Sequence, residues 1–151
     1  LKGADLKAVN LSEAVMSGVN LTKADMSAAF LKSADLSDAQ LFETNFFVIA
    51  ENVNLSNATI RNSKVGGLLQ YANLSKAKIY DADLTKAVLT KADLSEVLIS
   101  GGNFTNVYLA SANLSNAIVF DGDWTDANLR LTDVRGLRFD PSKNPDTRAI
   151  S

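Results

Sequence analysis

Residues 82–96 read Ala82-Asp83-Leu84-Thr85-Lys86, Ala87-Val88-Leu89-Thr90-Lys91, Ala92-Asp93-Leu94-Ser95-Glu96. Three successive five-residue units share one order: a small residue, often an Asp, a Leu, a Ser or Thr, and a variable residue. With the Leu taken as the centre of each unit, centres recur every five residues from Leu1 to Phe46. They recur again at Leu55, Ile60 and Val65, and from Leu74 to Phe139. All 27 centres are large and apolar, and 25 of the 26 positions lying two before a centre hold Ala, Val, Gly, Ser or Thr, Leu137 being the exception. Such a repeat governs the whole reading of the chain. A helix turns about 100° per residue, so a five-residue step would scatter the centres around its cylinder and bury none of them together. An apolar pair two residues apart matches strand alternation, and the three outward residues then carry the chain round a corner. The pattern therefore predicts a solenoid of short straight sides, with coils about 4.8 Å apart hydrogen-bonding along the axis.

Slower periodicities give the size of a coil. The residue after the centre forms a serine series, Ser17, Ser37, Ser56, Ser75, Ser95 and Ser115, with steps of 20 and 19 residues. Four five-residue sides explain the 20s, and one four-residue side explains each 19. The first face is taken at centres Leu36, Leu55, Leu74, Leu94 and Leu114, the second at Leu41, Ile60, Ile79, Ile99 and Val119, and the third at Phe46, Val65, Leu84, Phe104 and Trp124. Both short sides are then expected on the fourth face between Leu31 and Leu89, as Ile49-Ala50-Glu51-Asn52 and Leu68-Leu69-Gln70-Tyr71 stacked on one another. Two protruding loops would be the rival explanation, but they would break the serine column.

Composition narrows the function classes. The chain has 151 residues, 46% apolar and 21% charged, with two Pro and a formal charge of -2, which fits a single folded domain rather than a disordered, collagen-like or basic nucleic-acid-binding chain. It contains no Cys and no His. Thiol nucleophiles, disulfides, the usual zinc sites and the commonest general base are thus missing, so no enzyme, catalytic residue, metal or cofactor is expected. No run approaches the roughly 20 apolar residues of a membrane span, and the first residues lack the pattern of a signal peptide. Because the chain opens at Leu1 already in pattern, upstream residues are expected to be missing.

Ala34-Asp35-Leu36, Ala72-Asn73-Leu74 and Ala112-Asn113-Leu114 closely match the motif Ala-(Asp/Asn)-Leu-X-X, and over residues 1–139 the chain resembles the pentapeptide-repeat family. The resemblance implies an all-β fold, a right-handed quadrilateral β-helix of about seven coils, followed by a polar C-terminal tail at 140–151. Family members are abundant in cyanobacteria and occur in thylakoid lumens, so the resemblance implies a lumenal or periplasmic setting, with cytoplasm as the alternative. One branch, the quinolone-resistance proteins, looks like DNA and binds DNA gyrase. A DNA-mimicking inhibitor or protector of gyrase is therefore the alternative to a non-enzymatic structural or protein-interaction module.

Charge argues against the mimic. Residues 1–60 carry four bases and seven acids, 61–91 six and two, 92–126 none and five, and 127–151 five and three. DNA presents continuous negative charge, whereas Arg61, Lys64, Lys76, Lys78, Lys86 and Lys91 form a basic belt. No nucleic-acid partner is expected. On the first and third faces the residue before the centre is mainly Asp or Asn, which is corner chemistry, because these side chains bond nearby backbone. The serine column has the same explanation, and Asp93, Lys76 and Glu96 flank it, unlike the flat hydroxyl arrays of ice-binding solenoids. Trp124 sits at a centre and is expected in the core, with Gly122 leaving room for it. Leu137 and Phe139 are expected to plug the C-terminal end.

One feature points to a partner. On the fourth face the outward positions are expected to be Phe30, Ala50, Leu69, Val88 and Tyr108, an apolar column about 19 Å long at the strand spacing. The second face, taken as its neighbour, adds Leu98, Ile118 and Phe120, with Tyr80 and Phe42. Contiguous exposed apolar residues often mark a contact surface, so Phe30, Leu69, Val88, Tyr108, Leu98, Ile118 and Phe120 form the candidate surface for an unidentified protein or a second copy of the chain. Strand propensity and packing between coils would also keep such residues.

Overall fold

A computed structural model describes residues 1–139; the expected tail, 140–151, lies outside the described residues. The strands are β1 (Gln40–Phe42), β2 (Asn45–Ile49), β3 (Thr59–Arg61), β4 (Lys64–Leu68), β5 (Lys78–Tyr80), β6 (Leu98–Ser100), β7 (Ile118–Val119) and β8 (Arg138–Phe139). The second face forms a six-stranded parallel sheet in the order β1-β3-β5-β6-β7-β8. Its centres Leu41, Ile60, Ile79, Ile99, Val119 and Phe139 lie in register. Branched and aromatic residues such as Thr59, Ile60, Ile99 and Ile118 suit such a pleated, half-buried surface. On the third face the ladder runs Asp5, Asp25, Asn45, Lys64, Asp83, Asn103, Asp123, seven rungs of which β2 and β4 supply the middle. Its steps are 20, 20, 19, 19, 20 and 20, so the two short coils are present. Their expected partners also stack: Ala50 N donates to Leu68 O at 2.8 Å and Asn52 N to Gln70 O at 3.0 Å.

The side that loses a residue is the third, not the fourth. An ordinary side closes its corner with a turn in which the residue two after the centre has positive φ, as in Lys86 (60°) and Asn106 (56°). The residue three after the centre then donates back to the centre's carbonyl, as Ala87 N does to Leu84 O. That geometry is the demand of a tight turn with a left-handed third residue, and 21 non-glycine residues among those described accept it. After Phe46 the equivalent residue is Val48, whose β-branch disfavours positive φ. No turn forms there. β2 instead continues as an unbroken alternation, Phe46 in, Phe47 out, Val48 in, Ile49 out, with Ala50 in. β4 pairs in register with it, with Gly66 buried under Phe47 and Gly67 at φ 88°, where an added Cβ would collide with the Val48 carbonyl oxygen.

Corners on the polar faces work as the Asp and Asn pattern implies. Oδ1 of the residue before the centre accepts the backbone N–H two residues on, as in Ser37 to Asp35 (3.0 Å), Ser75 to Asn73 (2.9 Å) and Ser95 to Asp93 (2.9 Å). Asn also donates across coils to Asp: Asn54 Nδ2 to Asp35 Oδ1 at 2.9 Å and Asn113 Nδ2 to Asp93 Oδ1 at 3.1 Å. Alternating Asn with Asp thus turns a repulsive column into a bonded one. In the serine column, Ser37 Oγ donates to Ser17 Oγ at 2.9 Å.

The core is one stack of centres with small residues between them, completely buried from Leu21 to Leu109. Thr44 and Ser63 are buried but bonded, Thr44 Oγ1 donating to Leu21 O and Ser63 Oγ to Leu41 O, both at 2.8 Å. Trp124 is core, stacked on Phe104 with ring centroids 4.2 Å apart. A Cβ on Gly122 would lie 3.2 Å from the indole nitrogen. Toward the ends, Leu6, Leu11 and Met16, and Leu137 and Phe139, are half-buried. Leu137 and Phe139, with Leu114, Val119, Trp124, Leu129 and Val134, line a small apolar recess at that end.

Candidate interaction surface

Because the third side is short in two coils, the inward and outward positions that follow it shift by one. Ala50 and Leu69, expected to point outward, are wholly buried at 0% exposure, and the outward residues are Ile49 and Leu68. Leu69 is therefore a core residue and leaves the candidate surface. The corrected fourth-face ladder pairs Asn10, Phe30, Ile49, Leu68, Val88, Tyr108 and Asn128 in consecutive coils. Five apolar residues thus stand directly above one another, with an Asn at each end. Phe30, Ile49, Leu68 and Tyr108 are exposed, and Val88 is half-buried.

The backbone beneath this column is fully engaged. Leu31 N donates to Ile49 O, Ala50 N to Leu68 O, Leu69 N to Val88 O and Leu89 N to Tyr108 O, each at 2.8 Å. The face therefore offers no open strand edge, and anything docking on it is recognised by side chains rather than by strand addition. Exposed Phe47 and Tyr71 flank the column. Phe47 lies over Gly66 of the coil below, where any Cβ would stand 2.8 Å from its ring. Ala28, Phe47, Ile49, Gly67, Leu68, Lys86 and Val88 line a shallow groove at the corner where the turn is missing.

The second face does not extend this surface. The chain visits the four sides in order, so the second and fourth faces lie on opposite sides of the coil. Leu98 and Ile118 pair in register there, both half-buried, with Phe120 exposed beside them, but Lys78 and Arg138 bound that pair along the ladder. Tyr80 is covered by the Arg61 guanidinium, 4.8 Å from its ring centroid. The candidate residues thus divide into Phe30, Val88 and Tyr108 on one side and Leu98, Ile118 and Phe120 on the other.

The polar faces hold ionised carboxylates engaged in corners. Hydrogen bonds from the side chain and backbone of Ser27 and of Ser37 hold the Asp25 and Asp35 carboxyls below the usual range, and Thr125 does so for Asp123. The Arg135 side chain brings Asp133 down to about 2. Among the described residues no three Asp or Glu gather as a metal site would need, and no helix is long and apolar enough to cross a membrane.

A family model described as pentapeptide repeats matches the chain in eight copies, over residues 1–38, 68–106 and 87–119. No curated protein matches it. Among solved structures, HetL, a pentapeptide repeat protein involved in heterocyst differentiation regulation from the cyanobacterium Nostoc sp. strain PCC 7120, is 25% identical. It has a TM-score of 0.54, covering 91% of this chain and 75% of that one. A trypsin-treated form of QnrB1, a plasmid-mediated fluoroquinolone resistance protein, is 17% identical with a TM-score of 0.48, over 92% of this chain and 83% of that one. Rfr23, a pentapeptide repeat protein from the cyanobacterium Cyanothece 51142, is 24% identical with a TM-score of 0.23, over 95% and 89%.

Proposed function

Since the chain belongs to the pentapeptide-repeat family, a fold whose sides are flat and whose backbone is saturated, we propose that it is a non-enzymatic module that works by docking another protein on its fourth face. The observation that carries this reading is the unbroken column Phe30, Ile49, Leu68, Val88, Tyr108. The equivalent columns on the first and third faces are Asp and Asn engaged in corners apart from Val15 and Lys64, and that on the second is interrupted by Lys78. Large aromatic side chains at a flat apolar patch are the usual anchors of a protein interface, and Phe30 and Tyr108 hold that position at its two ends. HetL, similar in fold, is involved in heterocyst differentiation regulation, and a regulatory role exercised through contact is consistent with a rod that presents a flat apolar column.

The test is the double variant Leu68→Lys with Val88→Glu, which changes two outward residues and leaves every centre in place. It should keep the parent's melting temperature and lose the partners that the parent retains in a pull-down from its source. Full retention of those partners would reduce the column to strand packing. Leu69→Lys is unsuitable for this purpose, because it would bury an ammonium among core side chains.

A further inference from the structure

The order of residues along the fourth-face column is nearly the same read in either direction: Asn10, Phe30, Ile49, Leu68, Val88, Tyr108, Asn128. An aromatic residue stands two coils from Leu68 on each side, a branched aliphatic one coil away, and an Asn three coils away. We propose that the partner docked on this face is a second copy of the chain, packed antiparallel about a two-fold axis that passes at Leu68. This rests on the fourth face being the docking surface. In that arrangement Leu68 meets its own equivalent, Ile49 meets Val88, Phe30 meets Tyr108 and Asn10 meets Asn128. Such an isologous contact needs one self-complementary patch, and the column is one.

Most charges flanking the column obey the same symmetry, although Lys32, which pairs with Glu51 at 3.9 Å, would face the uncharged Ala110. At the corner between the fourth and first faces, Glu13 and Glu51 lie three coils and one coil before the axis, and Arg130 and Lys91 lie three coils and one coil after it. The two-fold brings Glu13 opposite Arg130 and Glu51 opposite Lys91. At the other corner it brings Lys86 over the exposed ring of Phe47, a cation and aromatic pair. A parallel pairing of two copies would instead set Lys86 against Lys91 in the same coil, like charges at a desolvated rim. Area is sufficient. Phe30, Phe47, Ile49, Leu68, Tyr71 and Tyr108 are between 41% and 57% exposed. At about 200 Å² per large side chain they offer roughly 550 Å² per copy, or about 1,100 Å² for the pair, past the ~1,000 Å² that a specific interface requires.

The chain's lack of Cys permits a direct test of register. Ile49→Cys and Val88→Cys variants, each purified and then mixed with a short bismaleimide cross-linker, should yield a cross-linked dimer in the mixture and little in either variant alone. Leu68→Cys should cross-link with itself, and Leu98→Cys on the opposite face should not. By sedimentation the parent should be a dimer in the micromolar range. Glu51→Lys should weaken it at least tenfold, and adding Lys91→Glu should restore it. Self-cross-linking of Ile49→Cys would overturn the antiparallel register, and a parent that sediments as a monomer throughout would overturn the dimer. A monomer whose foreign partners are still lost in Leu68→Lys with Val88→Glu leaves the docking surface standing and removes only the second copy as its occupant. A monomer whose partners survive that change removes both.

Discussion

Leu84→Ala and Asp83→Ala change adjacent residues, one facing in and one facing out, and should differ several-fold in their effect. Leu84 is completely buried, at a third-face centre between Val65 in the preceding coil and Phe104 in the next. Truncation removes three carbons, about 2.4 kcal/mol at ~0.8 kcal/mol per buried methylene. The void that remains between two stacked coils raises the cost to about 2–5 kcal/mol. A solenoid coil contacts only its neighbours, so this site holds the two halves of the rod together. Asp83 is exposed, and its Oδ1 accepts from Thr85 N at 3.0 Å and from Thr85 Oγ1 at 2.6 Å. Losing that corner leaves two donors able to reach water and should cost no more than about 1 kcal/mol.

With a urea m-value near 2 kcal/mol/M, the midpoint should fall by roughly 1–2.5 M for Leu84→Ala and by about 0.5 M or less for Asp83→Ala. Far-UV circular dichroism follows the whole rod. Trp124, the sole tryptophan, is stacked on Phe104 and follows the coils beyond the cut. Equal midpoint shifts for the two variants would refute the inward and outward assignment on which both the core and the docking column depend.

Gly67→Ala should destabilise the rod more than a typical surface change, since Gly67 has φ 88° and an added Cβ meets the Val48 carbonyl oxygen, a backbone atom that cannot rotate away; a thermal melt within 1 °C of the parent would contradict the turnless corner. Stability should also fall at acid pH. Asp25, Asp35, Asp123 and Asp133 have carboxyls held below their unfolded values, so their contribution is complete above about pH 4 and drains away as pH drops toward the folded value, about 2 for Asp133. Replacing all four with Asn keeps the Oδ1 acceptor of each corner and should flatten the fall in urea midpoint between pH 4 and pH 2, and an unchanged acid limb would remove the corner carboxylates as its cause.

Most of the architecture was legible because a solenoid writes its packing into a short period. Once Leu84, Leu89 and Leu94 were recognised as centres, the burial of Ala82, Ala87 and Ala92 and the corner role of Asp83 and Asp93 followed from strand alternation and side-chain chemistry. The serine spacing also gave the two 19-residue coils correctly. What escaped was the location of the missing residue within each coil, since a column of serines on the first face counts residues per coil and says nothing about which side is short. The deciding signal lay in Val48. A β-branched residue two after a centre disfavours the left-handed conformation that the turn requires, so the chain from Asn45 runs straight, and alternation then sends Ala50 inward. The opposite placement of the second and fourth faces is likewise implied by the order of sides around the coil, whereas apolar character alone carries no information about a residue's place on the perimeter.

The same two deletions that hid the register also shape the candidate interface. Where each corner has its turn, the third and fourth faces are separated by residues such as Ser27 and Ala28 or Thr105 and Asn106. In the two short coils β2 and β4 cross that corner as strands, pairing Phe47 with Gly66, Val48 with Gly67 and Ile49 with Leu68. Phe47 is thereby carried round beside Ile49 over the buried Gly66, and the small Gly67 leaves a recess next to Leu68 instead of a projecting turn. The flattest and most apolar part of the fourth face is thus the part where the repeat is broken, and it lies at the midpoint of a column whose ends are Asn10 and Asn128. Unbroken five-residue repeats would place a projecting turn at that corner in every coil and leave no such recess. In one short coil Ala50 replaces the larger residue that a centre usually supplies, while in the other Leu69 keeps it, so the departure reshapes the corner more than the core, the pattern expected when a local irregularity serves a surface rather than the fold.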